Sequence, residues 1–217
     1  MIDFHLILQS IPNLLQGTLV SLQITLVAAV LGLFIGILFG AIETTQQRVL
    51  KFLIGCYVTL FRGTPMLVQI LFVYYVLPQF GVTIPPFWAA GIAIGLNSGA
   101  YMSQVIKSGI QAVPVGQIEA AKTLGLSKFD TYHNIILPQA FRIVLPALGN
   151  ELITLVKDSS LASIIGVMEL SKEASIIRSR TYDAFSILLA ISMIYLTLTA
   201  TISTALKILE KKLRIHA

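Results

Sequence analysis

The stretch Glu119–Ala140, EAAKTLGLSKFDTYHNIILPQA, decides how this chain is read, because it does not match what surrounds it. It carries charges of both signs in a chain that is otherwise mostly apolar. Gln117 to Leu124 is a run of helix formers, and Gly125 is a natural residue to end it, since glycine accepts left-handed backbone at low cost. Ser127 followed by Asp130 fits the capping pattern of a second helix. Phe129, Tyr132, Ile135 and Ile136 give that helix one apolar side, and Pro138 stands near its end. The pattern predicts two short helices meeting at Gly125, a compact hairpin over about 112–140.

Outward from the hairpin the chain reads as membrane. Of its 217 residues 56% are hydrophobic and 12% charged, half the roughly 25% charge of a soluble domain. There is no Asp, Glu, Lys or Arg between Asp3 and Glu43, nor between Arg62 and Lys107. Each gap exceeds the roughly 20 residues that cross a bilayer core. The expectation is an all-α integral membrane protein, a single domain over 1–217, with five spans at about 14–42, 52–78, 86–107, 142–167 and 184–206. Pro78, Pro85 and Pro86 bracket a short uncharged turn between the second and third.

The basic residues orient these spans. With the N-terminus outside, the cytoplasmic pieces hold Arg48, Lys51, Lys107, Lys122, Lys128, Arg142, Lys207, Lys211, Lys212 and Arg214; the outer pieces hold only Lys172, Arg178 and Arg180. The hairpin then faces the cytoplasm. The net charge of +5 records this orientation rather than an affinity for nucleic acid. The opening MIDFHLILQS lacks a basic n-region and a cleavage site, so the first apolar run is expected to be retained. Cys56 is the only cysteine, a small packing residue with no intrachain disulfide available. His5, His133 and His216 are too scattered to propose a metal site, and no nucleophile–base spacing proposes an enzyme.

Two spans carry small-residue stripes: Gly32, Gly36 and Gly40, and then Gly91, Gly95 and Gly99. Such stripes let helix backbones approach closely. At 100° per residue, Asn97 and Tyr101 each stand about 200° from the glycine two positions before them. Both are expected to face away from the packed side, toward a cavity.

Charge inside the fourth span is the second anomaly, because a carboxylate at the bilayer centre costs about 2.5–3.5 kcal/mol on insertion scales. Glu151 and Asp158 are seven residues apart, within about 20° of each other on a helix, so both line one face. Lys157 lies beside Asp158, about 100° around. One reading is a Lys157–Asp158 ion pair that fixes packing; the other is an acidic face for a cationic ligand, Glu151 having no cation within a turn on its own helix. In the second span, Arg62 precedes the helix-breaking Gly63, Thr64 and Pro65. This is either a kink with Arg62 reaching for a headgroup or a broken helix lining a pathway. The segment 169–184, ELSKEASIIRSRTYDA, mixes both charges and is expected as a short outer amphipathic element.

The hairpin itself suits either anionic lipid headgroups, through Lys122 and Lys128, or the groove of a partner protein. EAAKTLG followed by IILP resembles the EAA coupling motif of ATP-binding-cassette importer permeases. FRGTPMLVQ at Phe61–Gln69, LNSGAYMSQVIKSGIQAVPVGQIEAA at Leu96–Ala121 and NELITLVKDSSLASIIGV at Asn150–Val167 are similar to the polar amino acid branch, over roughly Thr18 to Leu206. The resemblance implies the type I importer permease fold. It implies a second permease subunit, a homodimer by expectation, in a bacterial inner membrane. It also implies a binding protein on the outer side and a separate cytoplasmic ATPase that holds ATP and Mg. This chain has no G-x-x-x-x-G-K-[ST] phosphate loop of its own. Glu119, Ala120, Ala121, Leu124, Gly125 and Phe129 would form the ATPase-coupling knob. Glu151, Asp158, Asn97, Ser98, Tyr101 and Lys157, with Gly63, Thr64 and Leu67 beside the pathway, would take the substrate. The acidic face favours a cationic amino acid such as arginine, lysine or histidine. The alternatives are glutamine or another neutral or acidic amino acid, or an ATP-independent secondary transporter or channel.

Overall fold

The computed structural model describes residues 2–213, and Arg214 and His216, counted above, lie outside the described residues. Nine α-helices form among them, and no strand. α1 runs over Phe4–Glu43, α2 over Arg48–Gly63, α3 over Met66–Leu71 and α4 over Pro86–Gln111; α5 over Val115–Thr123, α6 over Lys128–Thr131, α7 over Leu137–Asp158, α8 over Leu170–Thr181 and α9 over Ala184–Lys212.

α1 is amphipathic in the reverse of the soluble sense. Its buried stripe is small or polar, with Gly17, Thr18, Ser21, Thr25, Ala28, Gly32, Gly36 and Gly40, while Leu26, Val30 and Phe34 stand exposed. Thr18 and Thr25 return their hydroxyls to the helix, to the Leu14 and Ser21 carbonyls at 2.7 and 2.8 Å. A helix that hides its small side and shows its large apolar side is solvated by hydrocarbon.

The two glycine stripes interlock with each other. A Cβ on Gly95 would lie 2.9 Å from Leu31, one on Gly99 2.9 Å from Ile35, and one on Gly36 2.6 Å from Met102. Residue numbers rise together along this contact, so α1 and α4 run parallel. At one end Lys107 Nζ pairs with the buried Glu43 carboxylate at 2.8 Å, which also accepts from Gln104. α7 packs antiparallel to α4, Gly109 sitting against Val144 and Ser98 against Glu151.

The expected five spans are not five helices of a kind. By length and composition, α1 and α9 are each sufficient to cross a membrane, and α2 with Met66–Phe80 makes a third only as a pair bent by 106°. The second expected span, 52–78, is therefore broken at Thr64–Pro65. α4 is less apolar than α1 and α9, and half of its residues are buried. α4 lies against α1, α2, α3 and α7, and neighbouring helices rather than hydrocarbon cover its Gly, Ser and Asn side chains.

The hairpin forms as the sequence predicts at its apex and differs at its end. Gly125, with φ +75°, sends its N–H to the Lys122 carbonyl, and Leu126 sends its own to Ala121, both at 3.0 Å. This pair of bonds is a Schellman closure of α5. Ser127 Oγ caps α6, accepting from the Asp130 N–H at 3.1 Å. The second arm does not stop near Pro138, however. It passes through a π turn at Tyr132–Ile136, where the Leu137 N–H reaches back five residues to the Tyr132 carbonyl, and runs straight into α7. The wider turn makes room for a ring that has no N–H to give. Leu77–Pro78 repeats the device, with the Leu77 N–H bonded to the Phe72 carbonyl in the π turn Phe72–Val76.

The segment after α7 is a 3₁₀ run, Ser159–Ile165, leading to α8. Glu169 is not a solvated member of an outer surface element: it is fully buried. Its carboxylate takes the N–H groups of Ser171 and Lys172 at 2.9 and 2.7 Å, the Ser21 hydroxyl at 3.2 Å and the Tyr195 hydroxyl at 3.3 Å. One acid thus ties α8 to α1 and α9. Asp183, which caps α9, is held below the usual carboxylate range by the Ser186 hydroxyl and N–H.

Candidate functional site

The break between α2 and α3 builds one wall of the site. Gly63 and Pro65 end α2, and the polar groups freed there must be satisfied in an apolar setting. Gln69 does this from the next turn. Its amide nitrogen donates to the Phe61 carbonyl at 2.8 Å, the Thr64 carbonyl at 3.1 Å and Thr64 Oγ1 at 2.8 Å. Asn97, on α4, donates to the same Phe61 carbonyl at 2.9 Å and to Gln69 Oε1 at 3.0 Å. Asn97 does not face an open cavity as expected. It is buried, and its amide stitches the broken helix to α4. Gln69 was not among the residues singled out from sequence, since its role depends on which way the chain turns at Pro65.

Ser98, also buried, donates to Glu151 Oε1 at 2.9 Å. Glu151 is half-buried on α7, and Asp158, one end of the same face, is also half-buried. The single ion pair among the described residues is Glu43–Lys107, so Lys157 closes no bridge with Asp158; its side chain is exposed. α7 therefore presents two carboxylates without a counter-cation among the described residues. Tyr101 is 39% exposed and does face outward, with the Arg62 guanidinium 5.0 Å above its ring centroid. Gly63 would meet nothing within 4 Å if given a Cβ, Leu67 is half-buried and Thr64 is half-buried with its hydroxyl returned to Leu60 at 2.8 Å.

At the other end of the molecule the hairpin offers an apolar apex. Leu124 is 80% and Phe129 74% exposed, with His133 stacked on Phe129 at 5.8 Å. Glu119 and Ala120 are exposed beside them, whereas Ala121 is buried, and Ile118 and Tyr132 pack against the buried cluster of Val113, Ile136 and Ala140. Between this apex and the acidic face lies a single helical course from Lys128 to Asp158.

Residues 32–215 match the model of the family described as the binding-protein-dependent transport system inner membrane component. The chain is 39% identical over 214 residues to a putative glutamine transport system permease protein of Rickettsia bellii, covering 97% of this chain and 98% of that one. It is 37% identical over 214 residues to the arginine transport system permease protein of Bacillus subtilis, covering 98% of each. A crystal structure of an amino acid ABC transporter with histidines superposes with a TM-score of 0.92 at 37% identity, over 98% of this chain and 99% of that one. Matches of this length show the family: the chain belongs to the inner-membrane permease family of binding-protein-dependent transport systems and is an amino acid ABC transporter permease.

Proposed function

We propose that this chain imports amino acids with a positively charged side chain. The observation that carries the reading is the pair Glu151 and Asp158 on one face of α7, neither of them bridged by a cation among the described residues. Two carboxylates about 10 Å apart along a helix match a substrate that is cationic at both its α-ammonium and its side chain. Lys157 beside Asp158 tempers that charge without closing a bridge. Glutamine transport, the activity in the name of one relative, would leave the second carboxylate without a task.

In this reading the chain crosses the membrane five times with its N-terminus outside, the bent pair α2–α3 counting as one span and α4, α7 and α9 as three others. Two copies enclose the path. A binding protein delivers substrate from outside, and a separate ATPase, carrying ATP and Mg, seats the apex formed by Leu124, Gly125 and Phe129. The support for a docked apex is its apolar exposure, which an aqueous surface would not favour.

The test is uptake of radiolabelled arginine and lysine by cells or proteoliposomes carrying Glu151→Gln. Import is expected to fall at least tenfold, with the protein inserted at normal level. Undiminished arginine uptake would refute the assignment.

A further inference from the structure

The break after α2 leaves a cation that no carboxylate among the described residues neutralises. Arg62 is exposed and takes part in no ion pair among the described residues. Its one specific contact is the face of Tyr101, 5.0 Å from guanidinium carbon to ring centroid, a contact that uses none of its five N–H donors. The backbone fixes it there, because the adjoining Phe61 carbonyl receives both the Asn97 and the Gln69 amides. Tyr101 is three residues from Ser98, a rise of about 4.5 Å and a turn of about 60° on α4, and Ser98 holds Glu151. An unpaired guanidinium and an unpaired carboxylate thus stand on neighbouring positions of one helix face.

That arrangement is asymmetric in a way the acidic face alone does not explain. Carboxylates attract the cationic ends of a substrate and repel its carboxylate. A planar guanidinium, whose paired N–H groups match a carboxylate bidentately, is the complementary group. We propose that Arg62 binds the α-carboxylate of the transported amino acid, with the Tyr101 ring positioning the guanidinium. The inference rests on the amino acid reading above but not on the charge of the side chain, since every α-amino acid carries this group.

The experiment compares each substrate with its decarboxylated counterpart. The full chain, assembled with its ATPase in lipid nanodiscs, is titrated with arginine and with agmatine, and in parallel with glutamine and 4-aminobutanamide. Wild type is expected to prefer the carboxylate-bearing member by about tenfold or more, the scale of one charge-assisted contact. Arg62→Gln should erase that preference by weakening the amino acid and leaving the amine unchanged. Arg62→Lys, which keeps the charge but loses the fork, should retain part of it, and Tyr101→Phe, which keeps the ring, nearly all. Equal weakening of both members, or no weakening of either, overturns the proposal. If wild type binds the glutamine pair instead of the arginine pair, the cationic reading fails while the Arg62 preference is still measured on glutamine.

Discussion

Asn97 and Gln69, separated by 28 positions, hold each other across the break in the second apolar run, the Asn97 amide donating to Gln69 Oε1 at 3.0 Å. A chain that breaks a helix in an apolar medium needs donors close at hand, and these two side chains supply them. Asn97→Leu is expected to destabilise the chain by about 1–3 kcal/mol, because Gln69 Oε1 is left buried without a donor. Gln69→Leu should do at least as much, since four contacts vanish. The double variant should cost less than the sum, and thermal unfolding of the purified chain in detergent reads the difference. Strict additivity would mean that the two amides act independently.

Ser98→Ala removes the donor that holds Glu151 at 2.9 Å. The carboxylate stays but is no longer directed, and substrate binding is expected to weaken about tenfold. Titration of the assembled importer with arginine checks this, and an unchanged affinity would show that Ser98 only packs.

The glycines separate into two classes that a substitution series can sort. At Gly36 a Cβ would lie 2.6 Å from Met102 Cβ, and at Gly109 2.1 Å from Val144 Cγ1. Gly36→Val and Gly109→Ala should each lower stability by about 1–3 kcal/mol through overpacking. Gly63→Ala and Gly116→Ala meet nothing within 4 Å and should fold as wild type. Yield and melting temperature in detergent report the contrast.

Glu169→Gln replaces two acceptor oxygens, facing four donors, by one oxygen and an amide that brings donors of its own. A loss of about 2–3 kcal/mol is expected, concentrated at the junction of α8 with α1 and α9. Hydrogen exchange should show α8 opening while the α1–α4 core stays protected. Uniform loss of protection would contradict a local clasp.

Leu124→Asp and Phe129→Asp place a charge on an apex that is open in this chain and apolar in character. Neither should affect folding by more than about 0.5 kcal/mol, as exposed substitutions usually do. Substrate-stimulated ATP hydrolysis by the assembled importer should fall severalfold, and unaltered stimulation would detach the apex from coupling.

What sequence conveyed here depended on how far apart the cooperating residues lie. Ser127, Asp130 and Gly125 specify their own caps, so the apex was legible. The four-residue glycine period announced close helix packing, and Glu151 with Asp158 announced a shared face. The bonds of Asn97 with Phe61 and Gln69 were hidden, because they exist only once the chain turns by 106°. Glu169 was hidden for another reason: an acid at a helix start looks solvated until Ser21 and Tyr195 arrive from distant segments. Pro138 misled, since a proline signals an end unless a π turn precedes it. The division into spans was less legible, because the second apolar run bends by 106° at Thr64–Pro65 and α4 is covered largely by other helices.

The unbroken course from Lys128 to Asp158 has a mechanical consequence. Val144 rests against Gly109 so closely that no side chain fits between them, which makes that contact a natural fulcrum. Phe129 lies 15 residues before it and Glu151 seven after, arms of about 22 and 10 Å at 1.5 Å per residue. A rigid rod pivoting there has a mechanical advantage of about two, so a 4 Å stroke at the apex arrives as about 2 Å at Glu151. That is enough to part a hydrogen bond of 2.9 Å with Ser98. Pro146, which leaves the Arg142 carbonyl without its helical donor, lies two residues from the fulcrum. The missing bond lies close to that pivot, and any bending there would reduce the share of a stroke that reaches the acidic face.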